Sequence, residues 1–205
     1  MAGPGNGVTE RLTLTATDGV TLEARIDSPD HPSRFTVFCH PHPMDGGTMN
    51  APLMIAVAGR LVERGHAVLR FNFRGTGSSG GDHEGGEGEL LDVSAAVSVG
   101  RESGLPLGIA GWSFGAWVAL RWLAEEDETM PYAGIAPGTE ALPEVLPSGP
   151  KRIILGTREQ VIDPQELIAY ARENAIDLVL TPGDHFFHGR GSRIGDLVGQ
   201  GLEDG

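Results

Sequence analysis

From Phe35 onward, short apolar runs alternate with segments of helical spacing. Thr36-Val37-Phe38-Cys39, Ala67 to Phe71, Leu107 to Ala110, Tyr132 to Ala136, Arg152 to Leu155 and Leu178 to Leu180 read as strands. Between them, Ala51 to Val62, Glu89 to Val99, Phe114 to Leu123 and Pro164 to Arg172 carry the helical period, and Ile194 to Leu202 carries it weakly. In the second of these, Leu90, Leu91, Val93, Ala96 and Val97 form one apolar stripe. The front of the chain, Leu12 to Ala16 and Thr21 to Ile26, reads as a hairpin turning at Asp18-Gly19.

This alternation predicts an α/β domain with a mostly parallel sheet and an antiparallel start. No internal repeat and no shift of composition marks a second domain, so residues 1–205 read as one. Met1 to Gly7, with neither a basic start nor an apolar run, reads as a frayed tail. Only about fifteen residues separate the strand ending at Ala136 from the one starting at Arg152. That leaves no room for a helical lid, and predicts an open, shallow site.

Composition narrows the setting. A chain of 205 residues can bury about 70% of its unfolded surface and needs no staple. A single cysteine, Cys39, excludes an internal disulfide; it is expected to be a buried, inert thiol, and a reducing cytoplasm is the expected setting. The net charge of -13 repels phosphate backbones and anionic lipid, so neither nucleic acid nor membrane is an expected partner. The longest apolar stretch, around Leu53 to Ala58, is far too short to span a bilayer.

Candidate chemistry centres on Ser113, in Gly111-Trp112-Ser113-Phe114-Gly115, between a strand-like and a helix-like run. A G-x-S-x-G turn at that junction lifts a serine hydroxyl above the end of a parallel sheet. A second match, Gly77-Ser78-Ser79-Gly80-Gly81, runs into Asp82-His83-Glu84-Gly85-Gly86, which is not expected to start a packed helix. A nucleophilic serine needs a base, and the base an orienting acid, here in the order Ser, acid, His. After the Arg152 strand, Glu159 and Asp163 compete for the acid. Asp163-Pro164-Gln165-Glu166 reads as a helix cap, which gives Asp163 a structural task and favours Glu159. After the last strand His185 is the favoured base, ahead of His188, and Asp184 reads as a turn residue.

An oxyanion site needs two convergent backbone N–H groups. Phe114 supplies the first. In His40-Pro41-His42-Pro43, the prolines have no N–H, so His42 is the candidate for the second. His40, His42 and Asp45 are weaker as metal ligands, since no second cluster supports them. Gly75-Thr76-Gly77-Ser78-Ser79-Gly80 matches a dinucleotide fingerprint, but no helix is expected directly after it and the neighbouring carboxylates repel a pyrophosphate. Arg74 is expected to bond loop carbonyls in a structural turn. His31, His66 and His83 are expected at the surface. Trp112, Trp117 and Trp122 read as core or groove-lining residues of the central helix, with Trp112 and Phe114 lining an acyl pocket.

Together, Phe38 to Pro43, Gly46-Gly47-Thr48-Met49-Asn50, Arg70 to Gly75, Gly111 to Ala116 and Gly183 to Gly189 resemble the α/β-hydrolase superfamily. The chain is most similar to its small lidless members related to dienelactone hydrolases. The resemblance implies an eight-stranded sheet with helices on both faces and a triad of Ser113, Glu159 and His185. Glu159 stands where relatives usually carry Asp, and Ser113 where dienelactone hydrolases proper carry Cys, so dienelactone is not the favoured substrate. The expectation is a serine hydrolase of small carboxylic esters, without cofactor or metal, with a homodimer as the candidate assembly. A thioesterase, amidase or acyltransferase would use the same triad, and a non-catalytic binding protein could keep the fold.

Overall fold

The computed structural model describes residues 7–204, so the expected tail, Gly7 apart, lies outside the described residues. β1 (Val8–Thr15) and β2 (Thr21–Ser28) form the predicted hairpin. Its turn is closed by the Gly19 N–H donating to the Ala16 carbonyl at 2.9 Å. There follow β3 (Arg34–Cys39), α1 (Pro52–Glu63), β4 (His66–Phe71), α2 (Glu87–Glu102), β5 (Leu107–Trp112) and α3 (Phe114–Glu125). The chain then continues through β6 (Tyr132–Ile135), β7 (Lys151–Gly156), α4 (Pro164–Glu173), β8 (Asp177–Thr181) and α5 (Gly191–Glu203).

The eight strands form one sheet in the order β1-β2-β4-β3-β5-β6-β7-β8. The pairs β1–β2 and β2–β4 are antiparallel, and all other neighbours are parallel. Helices cover both faces, which is why the central strands read as unbroken apolar runs. Alternate side chains feed opposite cores. Val37, Leu69, Ile109, Tyr132 and Ile153 pack toward α2, α3 and α4. Phe38, Val68, Ala110, Ala133 and Ile154 pack toward α1 and α5. Cys39 is buried in the first core, as expected, and burial pushes its thiol up. Among the described residues no helix is long and apolar enough to cross a membrane.

Several local expectations need correction. The Asp82–Gly86 run stays non-helical, yet α2 opens directly after it, because buried Glu89 turns back and accepts the Gly86 N–H at 2.7 Å. His66 is buried, bonded to Thr36 Oγ1 at 2.8 Å and to Glu203 at 3.2 Å. Burial holds its imidazole below the usual range, against the opposing pull of Glu203. Arg74 does not bond loop carbonyls; its buried guanidinium is satisfied by Asp92, Glu84 and Asp18. Trp112 ends β5 rather than sitting on a helix. His31 is exposed, as expected.

Candidate active site

Ser113 occupies the single residue between β5 and α3, with φ 52° and ψ −117°. A non-glycine residue with positive φ is strained, and strain of this kind gathers at functional turns. The neighbouring glycines explain how the turn fits. A Cβ on Gly115 would lie 2.3 Å from the His40 carbonyl oxygen, and one on Gly111 would lie 2.4 Å from the Ala116 nitrogen. The Ser113 N–H donates to the Ile135 carbonyl at 2.8 Å, which ties the turn to β6. Ser79 has a different task. Its Oγ donates to the Asn72 carbonyl at 2.8 Å and accepts from the Glu23 N–H at 3.0 Å, linking β2 to the loop after β4.

The structure brings Glu159 and His185 together. Glu159 Oε2 lies 3.0 Å from His185 Nδ1, and both side chains are buried. Glu159 Oε1 accepts the N–H groups of Gln160 (2.9 Å), Val161 (2.8 Å) and Ile162 (3.4 Å). Burial pushes this carboxyl up, but the His185 bond and the turn amides outweigh it and hold the group below the usual carboxylate range. The His185 carbonyl accepts the Trp112 indole N–H at 3.2 Å, fixing the loop beside the nucleophile turn. The competing residues are occupied as the sequence suggests. Asp163 caps α4 through Gln165 and Glu166 N–H, and Asp184 accepts the Phe186 and Phe187 N–H groups, each at 3.1 Å. His188 is exposed and stacked on Phe186.

His42 and Phe114 meet at one corner of the site, their rings edge to face with centroids 5.0 Å apart. Among the described residues, neither backbone N–H finds a hydrogen-bond acceptor. Phe114 also opens α3, so its amide stands at the positive end of a helix dipole. The loop carrying His42 is held from below by His40, fully buried. One of its ring nitrogens sits 2.6 Å from the Pro41 carbonyl, and the other accepts the Phe73 N–H at 3.0 Å. Burial pushes this imidazole down to about 4, against the smaller lift from the Pro41 carbonyl. With both nitrogens engaged, His40 has none to offer a metal. No cluster of metal-ligand character occurs among the described residues.

Ser113 lies at the junction of two lobes of an open cleft. One, about 440 Å³, is lined by Trp112, Val161, His185, Phe186 and the Pro41–Gly47 loop. The other, about 310 Å³, is lined by Phe114, Trp117, Gly138, Glu140 and Ile162. Residues 136–150 contain no helix, so no helical lid arises from this segment. Trp112 and Phe114 thus flank the nucleophile on different lobes. Trp122 is core, its indole bonded to Ser94. Another concavity, about 410 Å³, sits at the β1–β2 hairpin away from these residues. Val161, Glu140 and Phe186 were not singled out as cleft walls by the sequence, since loop side chains carry no periodic signal.

An eight-stranded, mostly parallel sheet bearing a strained serine turn and no lid is the architecture of the lidless α/β serine hydrolases. Comparison with known proteins agrees. The chain belongs to the peptidase S15 family, described as X-Pro dipeptidyl-peptidase (S15 family), whose family model matches residues 18–140. It is 36% identical over 120 residues to an uncharacterized protein of Rickettsia prowazekii (strain Madrid E); that match takes in 56% of this chain and 48% of the relative, about half its length. An α/β serine hydrolase without lid from Xanthomonas campestris is 29% identical, with a TM-score of 0.86 over 98% of this chain and 97% of that one. An α/β serine hydrolase homologue from Coxiella burnetii is 28% identical, with a TM-score of 0.84 over 98% and 100%.

Proposed function

We propose that this serine hydrolase cleaves small carboxylic esters through Ser113, His185 and Glu159, with the His42 and Phe114 N–H groups as oxyanion donors. The observation that carries the reading is the buried 3.0 Å Glu159–His185 pair beside a serine held at positive φ. His185 takes the Ser113 proton as the hydroxyl oxygen attacks the acyl carbon. Glu159 orients the imidazole and stabilises its cation. The two amides receive the carbonyl oxygen as it becomes negative. The alkoxide leaves with the proton from His185, and water, deprotonated by the same imidazole, releases the acid from the acyl-enzyme.

The lobes give this sequence a direction. The leaving alcohol must meet the His185 proton, so it occupies the larger lobe with Trp112, Val161 and Phe186. The acyl group then lies in the smaller lobe beside Phe114 and Trp117. The family's description names a peptide bond, so an X-Pro amide is the pertinent alternative to an ester. Labelling with a fluorophosphonate followed by peptide mapping tests the nucleophile. Parallel assays with short-chain p-nitrophenyl esters and with glycyl-prolyl p-nitroanilide test the scissile bond. An adduct on Ser113 and ester turnover support the proposal. No adduct on folded protein, or turnover of the amide alone, overturns it.

A further inference from the structure

A further histidine–carboxylate pair, His83 and Glu89, lies beside the candidate oxyanion donors. His83 Nδ1 lies 2.6 Å from Glu89 Oε1. The Glu89 side chain is fully buried and that of His83 is 16% exposed, so the expected surface position of His83 does not hold. Both Glu89 oxygens also accept backbone N–H groups, from Glu84 at 3.0 Å and from Gly86 at 2.7 Å. The His83 contact therefore reads as Nδ1–H donating to the carboxylate.

The ring held in this way touches both residues whose amides are the candidate donors. Its centroid is 4.9 Å from that of His42 and 5.3 Å from that of Phe114, each at an interplanar angle of 64°. His42 and Phe114 close the triangle at 5.0 Å and 61°. All three contacts are edge to face, the geometry aromatic quadrupoles prefer. His83 lines neither lobe of the cleft, so it reaches the reaction only through its two neighbours.

We propose that His83, tethered by Glu89, is a positioning residue: it sets the spacing of the His42 and Phe114 N–H groups by locking their rings. The inference rests on the proposed ester-hydrolase reading and extends it. The physical ground is that oxyanion donors act by being in place before charge develops. The His42 loop and the start of α3 belong to different elements, and the three-ring contact joins them. Imidazole differs here from a plain aromatic ring because its bond to Glu89 fixes the ring's rotation as well as its place.

The test compares wild type, His83→Ala and His83→Phe with one ester substrate, and measures binding of a trifluoromethyl ketone as a tetrahedral mimic. His83→Ala is expected to lower kcat about tenfold with KM within about twofold, since the loss falls on the transition state alone. It weakens the trifluoromethyl ketone by the same factor. His83→Phe restores part of both, because the ring packing returns without the tether. An unchanged kcat overturns the proposal. So does a loss expressed only in KM, or a fall in kcat with undiminished binding of the ketone. Thermal melting shows which variants are folded; should His83→Ala not fold, His83→Phe against His83→Leu carries the same comparison. Absence of both a fluorophosphonate adduct and ester turnover in wild type would instead refute the underlying reading, and this inference with it.

Discussion

Glu159 divides its carboxylate between two tasks: Oε2 meets His185 Nδ1 at 3.0 Å, while Oε1 gathers three amides of its own turn. The amides fix the carboxylate before the histidine arrives, and hold it in the charged form. A carboxylate that is both immobile and ionised is what an imidazole needs to stay in one tautomer. Replacing Glu159 by Gln puts an amide where the acceptor stood. We expect turnover to fall by roughly 10³-fold or more with the fold retained.

Asp163 provides the internal control. As the cap of α4 it accepts the Gln165 and Glu166 N–H groups. Asp163→Ala is expected to lower stability by about 1 kcal/mol and leave kcat unchanged. Denaturant unfolding and steady-state kinetics on the same preparation decide. A larger activity loss from Asp163→Ala than from Glu159→Gln would reverse the assignment of the acid.

At Ser113 activity and stability are opposed. Ser113→Ala should reduce turnover by roughly 10⁴-fold and abolish fluorophosphonate labelling. Ser113→Gly should be equally inactive yet more stable by about 1 kcal/mol, since glycine relieves the positive φ. A glycine variant that melts lower than wild type would show that the turn is not strained.

The packing of Gly115 against β3 predicts a sharp steric response. A methyl group there meets the His40 and Cys39 carbonyl oxygens at 2.3 and 2.5 Å, both backbone atoms. Gly115→Ala should therefore destabilise by about 2 kcal/mol, and lower kcat because β3 and α3 are forced apart beside the candidate oxyanion donors. Unfolding midpoints compared with kcat test both halves of this statement.

Acid sensitivity follows from the buried histidines. His40 falls from an ordinary 6.5 to about 4 on folding. Between those values the unfolded chain binds the proton and the folded chain does not, so stability is full above about pH 6.5 and declines as pH falls toward 4. The loss from His40 is about 3 kcal/mol at the lower end. His66, lowered by burial, acts in the same direction, while buried Asp92, raised by burial, acts in the opposite one. Unfolding free energies at pH 7, 5.5 and 4.5 should trace this decline, and His40→Gln should flatten it.

The element pattern was legible because burial on both faces of the sheet leaves continuous apolar runs, and because Asp18-Gly19, Asp163-Pro164 and the Ser113 turn are local signals. The order of the candidate groups along the chain was legible for the same reason, since each follows a strand. What escaped was pairing at a distance. Nothing local says that His66 reaches Glu203 across 137 positions, or that Arg74 would collect three carboxylates from separate segments. Read alone, Gly75 to Gly88 is only a polar, glycine-rich stretch. In the structure Glu89 accepts the Glu84 and Gly86 N–H groups and holds His83 against His42 and Phe114, contacts visible only once α2 is placed.

Residues 136–150 bring no helix across the cleft, and this has a kinetic meaning. Enzymes that close a segment over bound substrate commonly wait for it to reopen. Among the described residues no such segment stands between bulk solvent and Ser113. In the proposed mechanism water would reach an acyl group on that serine as soon as the alcohol departs, and the acid would diffuse away without a hinge step. Turnover would then be paced by bond making and breaking, and the choice of substrate would rest with the fixed walls of the two lobes.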